Sequence, residues 1–540
     1  MATIQFKGKP AVWNHHLSVP YHTLEKNVKQ SLKGKNEDEN LIIEGDNLLA
    51  LKALLPQYQG KVKCIYIDPP YNTGNEGWVY NDNVNSPTIQ DWVGKVVGKE
   101  SEDLTRHDKW LCMMVPRMKL LREFLNEDGT IFVSIDDNEV HHLRMIMNDI
   151  FGEDNFITMI SWQRKKESAN DSKNISVKAE YVVVYSKSEL SQLRLLPLSE
   201  EYVDTSYNDP TSMFPDGQWR PVPIATTKGH KSGGYTYEIT TPGGKRHTRE
   251  WAYPETSYKR LLDEGRVYFG KDGNGVPQRV IYAHESGGVP ASNIWNNIWD
   301  ETGTNKQGKK EIIEFFGDNF FDTPKPTVLI KRILQLATDK NSIVLDSFAG
   351  SGTTAHAVLD LNKEDGGSRK FILVQLPEEL KAGTPAHKAG FRFVHEITRE
   401  RVKRVIDKNK SKDGFTYYAL GPAIDAETLL EGKKLPTFKE FAKYVYYLAT
   451  GKNHPDEAKI NEKTSLVGKG DSATIYLLYT QDREALKKLA ITLDWAQKTH
   501  EKDSGKKIVY APACYLDDEA LDQYGIKFVS IPYNLFERSA

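Results

Sequence analysis

The chain has 540 residues, of which 39% are hydrophobic and 27% are charged, and its formal net charge is −2. This length allows two to four domains, and the composition predicts a soluble globular protein. No apolar run reaches the roughly 18–20 residues of a membrane span, and the first residues do not form a signal peptide, so no membrane association is predicted. Because the net charge is close to zero, any contact with nucleic acid must come from local basic patches.

The three cysteines, Cys64, Cys112 and Cys514, lie far apart, and none belongs to a CxxC pair. This spacing argues against a structural zinc site and against a disulfide framework. We therefore expect no metal and a reducing, cytoplasmic location.

The first part of the chain changes character at about residue 41. Residues 1–40 are polar and irregular, which predicts an N-terminal arm. Over 41–190, apolar strand patterns alternate with helical patterns, beginning with a strand, a turn at Gly45 and Asp46, and a helix. A long amphipathic helix later in this segment is expected to stop at Gly129. The alternation predicts an α/β domain with a mainly parallel sheet.

The α/β pattern is interrupted and then resumes. Residues 191–318 are rich in Gly, Pro, Tyr and Trp, and their short alternating stretches predict hairpins in an inserted domain. The α/β pattern returns over 319–410. A charged helix and a linker then lead to a predicted small separate α/β domain over 411–540.

The stretch "IVLDSFAGSGTTAHAV", Ile343 to Val358, predicts a strand, a tight glycine loop and a helix. Gly350 and Gly352 allow a sharp turn and a close backbone approach, while the free N–H groups at the helix start point outward. Asp346 ends the strand, where a carboxylate can hold an ammonium group. A close-packed turn without a ligand would have the same pattern. The missing Lys-Ser/Thr pair argues against a phosphate-binding loop.

The stretch "DPPY", Asp68 to Tyr71, follows a predicted buried strand directly. The exocyclic amine of adenine is a poor nucleophile, and its methylation requires acceptors for both of its hydrogens. The Asp68 carboxylate and the Pro69 carbonyl can supply them, with Pro70 adding rigidity. Tyr71 can stack on a base taken out of the duplex. A rigid structural loop is the ordinary alternative, but ligands of α/β sheets bind at the carboxyl ends of strands.

Together these stretches resemble the β class of S-adenosylmethionine-dependent DNA amino-methyltransferases, and more narrowly the modification subunits of type III restriction–modification systems. The matching stretches are "EGDNLLALKAL", "YIDPPYNTGN", "DGTIFVSIDDNE", "TPKPTVLIKRIL", "VLDSFAGSGTTAHAV" and "FILVQLPEE". They stand in the circularly permuted order of that class, with the catalytic motif before the cofactor loop. The resemblance implies a Rossmann-like methyltransferase fold in which the insertion is a target-recognition domain.

The resemblance also implies S-adenosylmethionine as the cofactor and assigns residues to it. Asp346 would hold the amino group, and Asp46 would contact the adenine side. Lys325 and Pro326 match the motif that closes over the methionine moiety, and Gln375 stands where many relatives place an acidic residue on the ribose. The complete expected set is Asp46, Asp68, Lys325, Pro326, Asp346, Phe348, Ala349, Gly350, Ser351, Gly352, Thr353 and Gln375.

Basic side chains near aromatic ones are candidate DNA contacts, because cations neutralise phosphates and aromatic rings stack on bases or wedge between them. One group lies in the insertion and another in the stretch from Trp162 to Lys178, beside the predicted catalytic sheet. A solvated hairpin face or surface loop would have a similar composition. The candidates are Arg164, Lys165, Lys166, Lys228, Lys231, Lys245, Arg246 and Arg249.

These observations predict a site-specific methyltransferase that acts on N6 of a flipped-out adenine in double-stranded DNA. Cytosine N4 is the alternative acceptor, since both amines need the same two acceptors; Asp before Pro-Pro-Tyr, where Ser would suit cytosine, favours adenine. An RNA or protein acceptor and a non-catalytic DNA-binding scaffold are further alternatives. The large insertion favours a long polymer substrate, and the intact Asp68, Tyr71 and Gly350 favour catalysis.

Two partner predictions follow from the resemblance. It implies a homodimer in which one copy reads the site while the other modifies it. The sequence contains no Walker-type GxxxxGK[ST] motif and no nuclease-like acidic cluster. If the chain serves restriction, a separate ATP-dependent subunit must therefore supply cleavage; a solitary methyltransferase is the alternative.

Overall fold

The computed structural model describes residues 3–73, 96–97, 104–167, 175–198, 200–226, 234–296, 302–424, 435–486 and 488–531. The chain divides into two compact units. The larger unit comprises residues 1–193 and 292–540, and the smaller unit comprises residues 194–291. Within the described ranges, no helix combines the length and the apolar character that a membrane crossing requires.

The strands, in chain order, are β1 Tyr21–Lys26, β2 Leu41–Glu44, β3 Val62–Ile67, β4 Leu125–Ile135, β5 Phe156–Gln163, β6 Ala179–Ser186, β7 Trp219–Pro223, β8 Tyr235–Thr240, β9 Arg246–Trp251, β10 Val267–Tyr268, β11 Gln278–Tyr282, β12 Ile294–Trp295, β13 Ile343–Asp346, β14 Lys370–Gln375, β15 Thr416–Ile424, β16 Leu466–Lys469, β17 Thr474–Leu477, β18 Lys507–Ala511 and β19 Ile526–Ser530.

The helices, in chain order, are α1 Lys9–Trp13, α2 His15–Ser18, α3 Asn47–Tyr58, α4 Arg106–Phe124, α5 Val140–Phe151, α6 Glu200–Ser206, α7 Glu255–Asp263, α8 Asn305–Phe316, α9 Thr327–Ala337, α10 Thr353–Asp365, α11 Pro385–Lys388, α12 Val394–Asn409, α13 Phe438–Thr450, α14 Arg483–Leu486, α15 Leu493–Lys502 and α16 Asp518–Gln523.

Ten of the described strands form a central sheet in the larger unit, in the order β1-β15-β2-β14-β13-β3-β4-β6-β5-β12. The pairs β1–β15, β4–β6 and β5–β6 are antiparallel, and the pairs from β15 to β4 are parallel. Nearly every residue of β3 and β14 is buried, as expected for strands covered on both faces. The prediction of an α/β fold with a mainly parallel sheet is confirmed.

The predicted stop of the long helix at Gly129 is wrong. Helix α4 ends at Phe124, and β4 begins at Leu125, so Gly129 lies inside a strand. The pairing of β4 with β3 shifts register between Leu125 and Thr130. The glycine therefore marks an irregularity in the strand, which is the other common meaning of an isolated glycine at the edge of a strand pattern.

The predicted N-terminal arm over 1–40 is also wrong, because part of it belongs to the central sheet. Strand β1 pairs with β15, and its buried residues Tyr21 and Thr23 alternate with more exposed ones. Val12, in α1, is fully buried in the main core. The polar composition of this segment concealed a strand that has only one buried face.

The predicted boundary at residue 411 is wrong for a related reason. Strand β15 lies between β1 and β2 in the central sheet, so the chain has not yet left this sheet at Ile424. The C-terminal α/β element itself is present as a four-stranded sheet in the order β16-β17-β18-β19. Its strands β17, β18 and β19 are parallel, whereas β16 is antiparallel to β17.

The inserted segment ends earlier than the predicted residue 318. The smaller unit contains the three-stranded sheet β10-β11-β7 and the hairpin β8–β9, so the predicted hairpin is confirmed. Helix α8 belongs to the larger unit. There it packs so closely that a Cβ at Gly308 would lie 2.2 Å from the carbonyl oxygen of Pro324. This long-range contact is not visible in the local sequence pattern.

The loop after β3 is fixed by the side chain of Asn72, which is buried and adopts a left-handed φ of 57°. Its Nδ2 donates to Glu139 and to the backbone oxygen of Arg106. The ring nitrogens of His107 and His142 each lie 2.7 Å from a different oxygen of Glu139. These three side chains could hold a metal ion, but hydrogen bonds account for their arrangement. Glu139 therefore ties α4, α5 and this loop together.

We predict that Asn72→Ala destabilises the protein more than Asn72→Gly does. Both changes remove the same side-chain hydrogen bonds, but only alanine opposes the left-handed backbone, by about 1 kcal/mol. Thermal unfolding should rank the wild type above Asn72→Gly and Asn72→Gly above Asn72→Ala. Equal melting temperatures for the two variants would show that the backbone at this position is not strained.

Candidate active site

The two motifs singled out in the sequence follow neighbouring parallel strands. Val344 pairs with Cys64 and Leu345 pairs with Ile65, which places β13 directly beside β3. Because parallel strands end at the same edge of a sheet, the loop after β3 and the glycine loop after β13 meet at that edge. This adjacency brings together residues that are almost 300 positions apart in the sequence.

A cavity of about 290 Å³ opens between the two loops. Most of the predicted catalytic and cofactor residues line it. These are Asp68, Pro69, Pro70, Tyr71, Lys325, Asp346, Phe348, Ala349, Gly350, Ser351 and Thr353. The cavity therefore has one wall from each motif, with Lys325 contributed by the segment before α9.

Asp68 is held by the ammonium group of Lys325, which lies 2.7 Å from each of its carboxylate oxygens. The Tyr71 hydroxyl donates to Asp68 Oδ1 at 2.9 Å and accepts from Lys325 Nζ at 2.9 Å. Burial raises the pKa of Tyr71 well above its ordinary value, and the charge of Asp68 adds to the increase. The tyrosine therefore keeps its proton and serves as a donor.

A second carboxylate, Glu180, lies beside this pair and was not predicted. It is buried on β6, where its Oε1 accepts from Arg164 Nη1 at 3.1 Å. Its Oε2 is 3.2 Å from the Tyr71 hydroxyl and 3.5 Å from Lys325 Nζ. The available signal was a lone carboxylate in the otherwise apolar strand pattern "EYVVVYS". Tyr66, Asp136 and Asn305 also line the cavity without having been predicted.

Asp346 lines the opposite wall and is buried. Its Oδ1 accepts from the backbone N–H of Phe348 at 3.0 Å, and its Oδ2 accepts from Thr354 Oγ1 at 2.5 Å. Burial nevertheless raises the pKa of Asp346 to about 7, and the charge of Asp68 adds to the increase. A cation placed against Asp346 would favour its ionised form.

The glycine loop owes its shape to Gly350 and Gly352, which have φ values of 52° and 81°. The N–H of Gly350 donates to Gln375 Oε1 at 2.7 Å, and its carbonyl accepts from Thr398 Oγ1 at 2.5 Å. A Cβ at Gly352 would lie 3.1 Å from the Thr398 carbonyl oxygen. The Gln375 side chain therefore holds the loop through the backbone N–H of Gly350.

A buried arginine that sequence reasoning missed supports the same loop. The guanidinium of Arg401, on α12, donates to Ser351 Oγ and to Thr353 Oγ1, each at 2.8 Å. It also forms an ion pair of 3.2 Å with Glu311 on α8. Burial lowers the pKa of Arg401 to about 10, so the group stays charged. The helical pattern of α12 gave no indication that one of its many charged residues points inward.

Four predicted cofactor residues are not part of the cavity wall that the described residues form. Asp46 caps the start of α3 and pairs with Arg117 at 3.0 Å. Pro326 precedes α9 as its N-cap, and Gly352 precedes α10 in the same way. Gln375 is the fourth. The cofactor roles of these residues stay predictions.

The candidate DNA contacts are distributed over several places. Arg164 lines the cavity, and Lys165 and Lys166 follow it on the same segment of the larger unit. Lys228 and Lys231 lie outside the described residues. Lys245, Arg246 and Arg249 are exposed in the smaller unit.

The hairpin arginines do not form one continuous patch. Both Arg246 and Arg249 lie on β9, and side chains three positions apart in a strand point to opposite faces. Arg246 lies 3.6 Å from Glu238 across the hairpin, and Arg249 is paired in register with Tyr237. DNA that lies against one face of this hairpin would therefore meet Arg246 or Arg249, but not both.

A family model, N6_N4_Mtase, described as DNA methylase, matches residues 62–384 of this chain. The chain is 50% identical over 398 residues to the StyLTI Mod subunit, from a type III restriction–modification enzyme of Salmonella typhimurium strain LT2. That match covers 72% of this chain and 60% of the relative. It is 32% identical to the EcoP15I Mod subunit of Escherichia coli, covering 75% of this chain and 68% of that one.

The chain is also 32% identical to the type II methyltransferase M.KpnI of Klebsiella pneumoniae, over 70% of this chain and 90% of the relative. It thus spans 60% of the length of the Salmonella protein and most of the length of the Klebsiella one. The family match contains both walls of the cavity, from the loop after β3 to the glycine loop after β13. The chain belongs to this family of DNA methylases.

Proposed function

We propose that the chain transfers a methyl group from S-adenosylmethionine to N6 of an adenine flipped out of double-stranded DNA. The observation that carries this proposal is the shared cavity, in which Asp68 and Pro69 face the glycine loop and Asp346. A carboxylate acceptor for an amine and a binding site for an aminoacyl sulfonium cofactor are the two parts that this reaction needs side by side.

The residues of the glycine-loop wall fit such a cofactor. Asp346 is a buried carboxylate that can take the amino group, and the left-handed Gly350 lets the loop backbone approach a ligand closely. Asn305 adds a polar group, since its buried Oδ1 has no hydrogen-bond partner among the described residues. When bound, S-adenosylmethionine would supply the electrophilic methyl group.

The residues of the other wall would hold the acceptor base. The Asp68 carboxylate accepts a hydrogen bond from one N–H of the adenine amine, which keeps the nitrogen lone pair out of the ring system. We assign the second acceptor to the Pro69 carbonyl, because the Pro70 carbonyl is already bound by Trp110 Nε1 at 2.7 Å and is directed into the protein. The Tyr71 ring lies beside this position and can stack on the base.

Adenine is preferred over cytosine because the acceptor is Asp68, whereas Ser would suit cytosine. The family description covers methylases without naming the base of this chain, so the base is part of the proposal. The Mod names of two relatives support a role as the modification component of a restriction–modification system. A homodimer, a separate ATP-dependent restriction subunit and a cytoplasmic location complete the proposal.

The smaller unit, residues 194–291, is proposed as the target-recognition domain. Lys245 and either Arg246 or Arg249, depending on the face of the hairpin that meets the DNA, would contact phosphates there. Lys165 and Lys166 would contact phosphates next to the flipped nucleotide. The second group is close to the chemistry, since it directly follows Arg164 of the cavity wall.

Asp68→Ala should abolish DNA methylation and leave cofactor affinity within a few-fold of the wild type. DNA from a methylation-deficient host that expresses each version would be digested to nucleosides and analysed by mass spectrometry, with cofactor binding measured by calorimetry. We expect N6-methyladenine with the wild type and none with the variant. Methylated cytosine in place of adenine would select the alternative base, and methylation by Asp68→Ala would refute the role of the carboxylate.

Cofactor binding should weaken at acid pH. With the pKa of Asp346 raised to about 7, the group is mostly protonated below that pH and mostly ionised above it, and only the ionised form attracts an ammonium group. Between pH 7.5 and pH 6 we expect affinity to fall roughly five- to tenfold. Calorimetric titrations on Asp346→Asn should give weak cofactor binding that no longer depends on pH in this range. If the affinity of the variant still falls between pH 7.5 and pH 6, another group causes the fall.

Lys166→Gln should weaken DNA binding and reduce its salt dependence. Affinity falls as salt rises, and removing one phosphate contact should make the slope of log affinity against log salt less negative by roughly 0.9. Lys340→Gln is the matched control, because Lys340 is also exposed but precedes β13, at the opposite edge of the sheet from the cavity. Fluorescence anisotropy at several salt concentrations would measure both. Equal slopes for the two variants would place the DNA elsewhere.

A further inference from the structure

The ammonium group of Lys325 lies between two carboxylates that differ in their surroundings. It lies 2.7 Å from both oxygens of Asp68 and 3.5 Å from Glu180 Oε2. The side chain of Asp68 is 24% exposed toward the cavity, whereas that of Glu180 is 4% exposed. A short displacement of one ammonium group would therefore exchange a partner at the reaction centre for a partner deeper in the wall.

The Tyr71 hydroxyl reinforces this two-position arrangement. It has one hydrogen and two carboxylate acceptors, Asp68 Oδ1 at 2.9 Å and Glu180 Oε2 at 3.2 Å. With Lys325 on Asp68, the hydroxyl donates over the shorter distance to Asp68, and a single O–H cannot donate fully to both carboxylates. The hydroxyl can therefore stay on Asp68 or turn to Glu180 as the position of Lys325 changes.

Glu180 is suited to receive the ammonium group because Arg164 stabilises its negative charge whether or not Lys325 contacts it. Arg164 binds its Oε1, which leaves Oε2 to face Lys325 and Tyr71. Glu180, the more buried carboxylate, therefore has a cation beside it in either position of Lys325. The exchange removes the cation only from Asp68, the more exposed of the two carboxylates.

The proposed reaction requires such an exchange. As the methyl group is transferred, positive charge develops on the amine nitrogen that is bound to Asp68. An ammonium group on the same carboxylate would weaken it as an acceptor and would repel this charge. The arrangement in which Lys325 occupies both Asp68 oxygens is therefore a resting arrangement and not the reactive one.

We propose that Glu180 is a positioning residue that accepts Lys325 from Asp68 when the target amine enters. The proposal rests on the proposed methyltransferase function. In the exchange, Lys325 gives up its hydrogen bonds to Asp68 and forms one to Glu180, and the ammonium group keeps its three protons. Asp68 is then available to the amine with its full negative charge.

A double-mutant cycle tests this role. Methylation kinetics would be measured for the wild type, Glu180→Gln, Lys325→Met and the double variant. We expect Glu180→Gln to lower kcat at least tenfold while the KM values for cofactor and DNA stay within about twofold, because only the reactive arrangement is lost. In the Lys325→Met background, adding Glu180→Gln should alter kcat less than twofold. A loss of tenfold or more in that background would show that Glu180 does not act through Lys325.

If Lys325→Met is inactive, the cycle cannot be measured, and Glu180→Asp tests the role of Glu180 instead. A carboxylate is needed to receive an ammonium group, so Glu180→Asp should have a higher kcat than Glu180→Gln. The reverse order would mean that shape and neutral hydrogen bonding suffice, and it would overturn the proposal, as would an unchanged kcat in Glu180→Gln.

Asp149→Asn is the matched control for the loss of a buried charge. Asp149 is also 4% exposed and pairs with Lys9 at 3.0 Å, away from the cavity. Its kcat should stay within twofold of the wild type; a loss as large as that of Glu180→Gln would attribute the effect to general destabilisation. If the wild type itself methylates no DNA, the proposed function fails, which is distinguishable from failure of the Glu180 role.

Discussion

The parallel pairing of β3 with β13 is the constraint on which the rest of the site depends. It places Asp68 and Asp346 at one edge of the sheet, although they lie in the two separate parts of the catalytic segment of the chain. Buried apolar side chains fix this pairing, so the relative position of the two walls is set by the core of the larger unit. The loops themselves are then held by the side-chain networks of Glu139, Gln375 and Arg401.

Charge balance is the second organising feature of the cavity. The four groups form a row of ion pairs in which Arg164 contacts Glu180, Glu180 contacts Lys325, and Lys325 contacts Asp68. Asp346 is separate from them and has no cation among the partners described above, which is why burial raises its pKa. Among the described residues, no cation is paired with Asp346, so this wall is suited to a cationic ligand.

Much of this could be predicted from the sequence, because the strand patterns and the two motifs are local signals. The alternation of elements, the strand before Asp68 and the glycine loop after β13 were all predicted. Glu180 and Arg401 were missed because nothing local distinguishes an inward-facing charged residue from an exposed one. The boundaries at 40 and 411 failed because β1 and β15 pair with each other in the central sheet, through contacts distant in the sequence. The boundary at 318 failed because α8 belongs to the larger unit.

The most direct measurement is a crystal structure of the chain bound to a non-reactive analogue of S-adenosylmethionine and to duplex DNA containing its target. We expect an extruded adenine whose amine nitrogen lies within hydrogen-bond distance of an Asp68 oxygen and of the Pro69 carbonyl, with the analogue against the glycine loop. A base bound outside this cavity, or an analogue bound away from Asp346, would contradict this expectation.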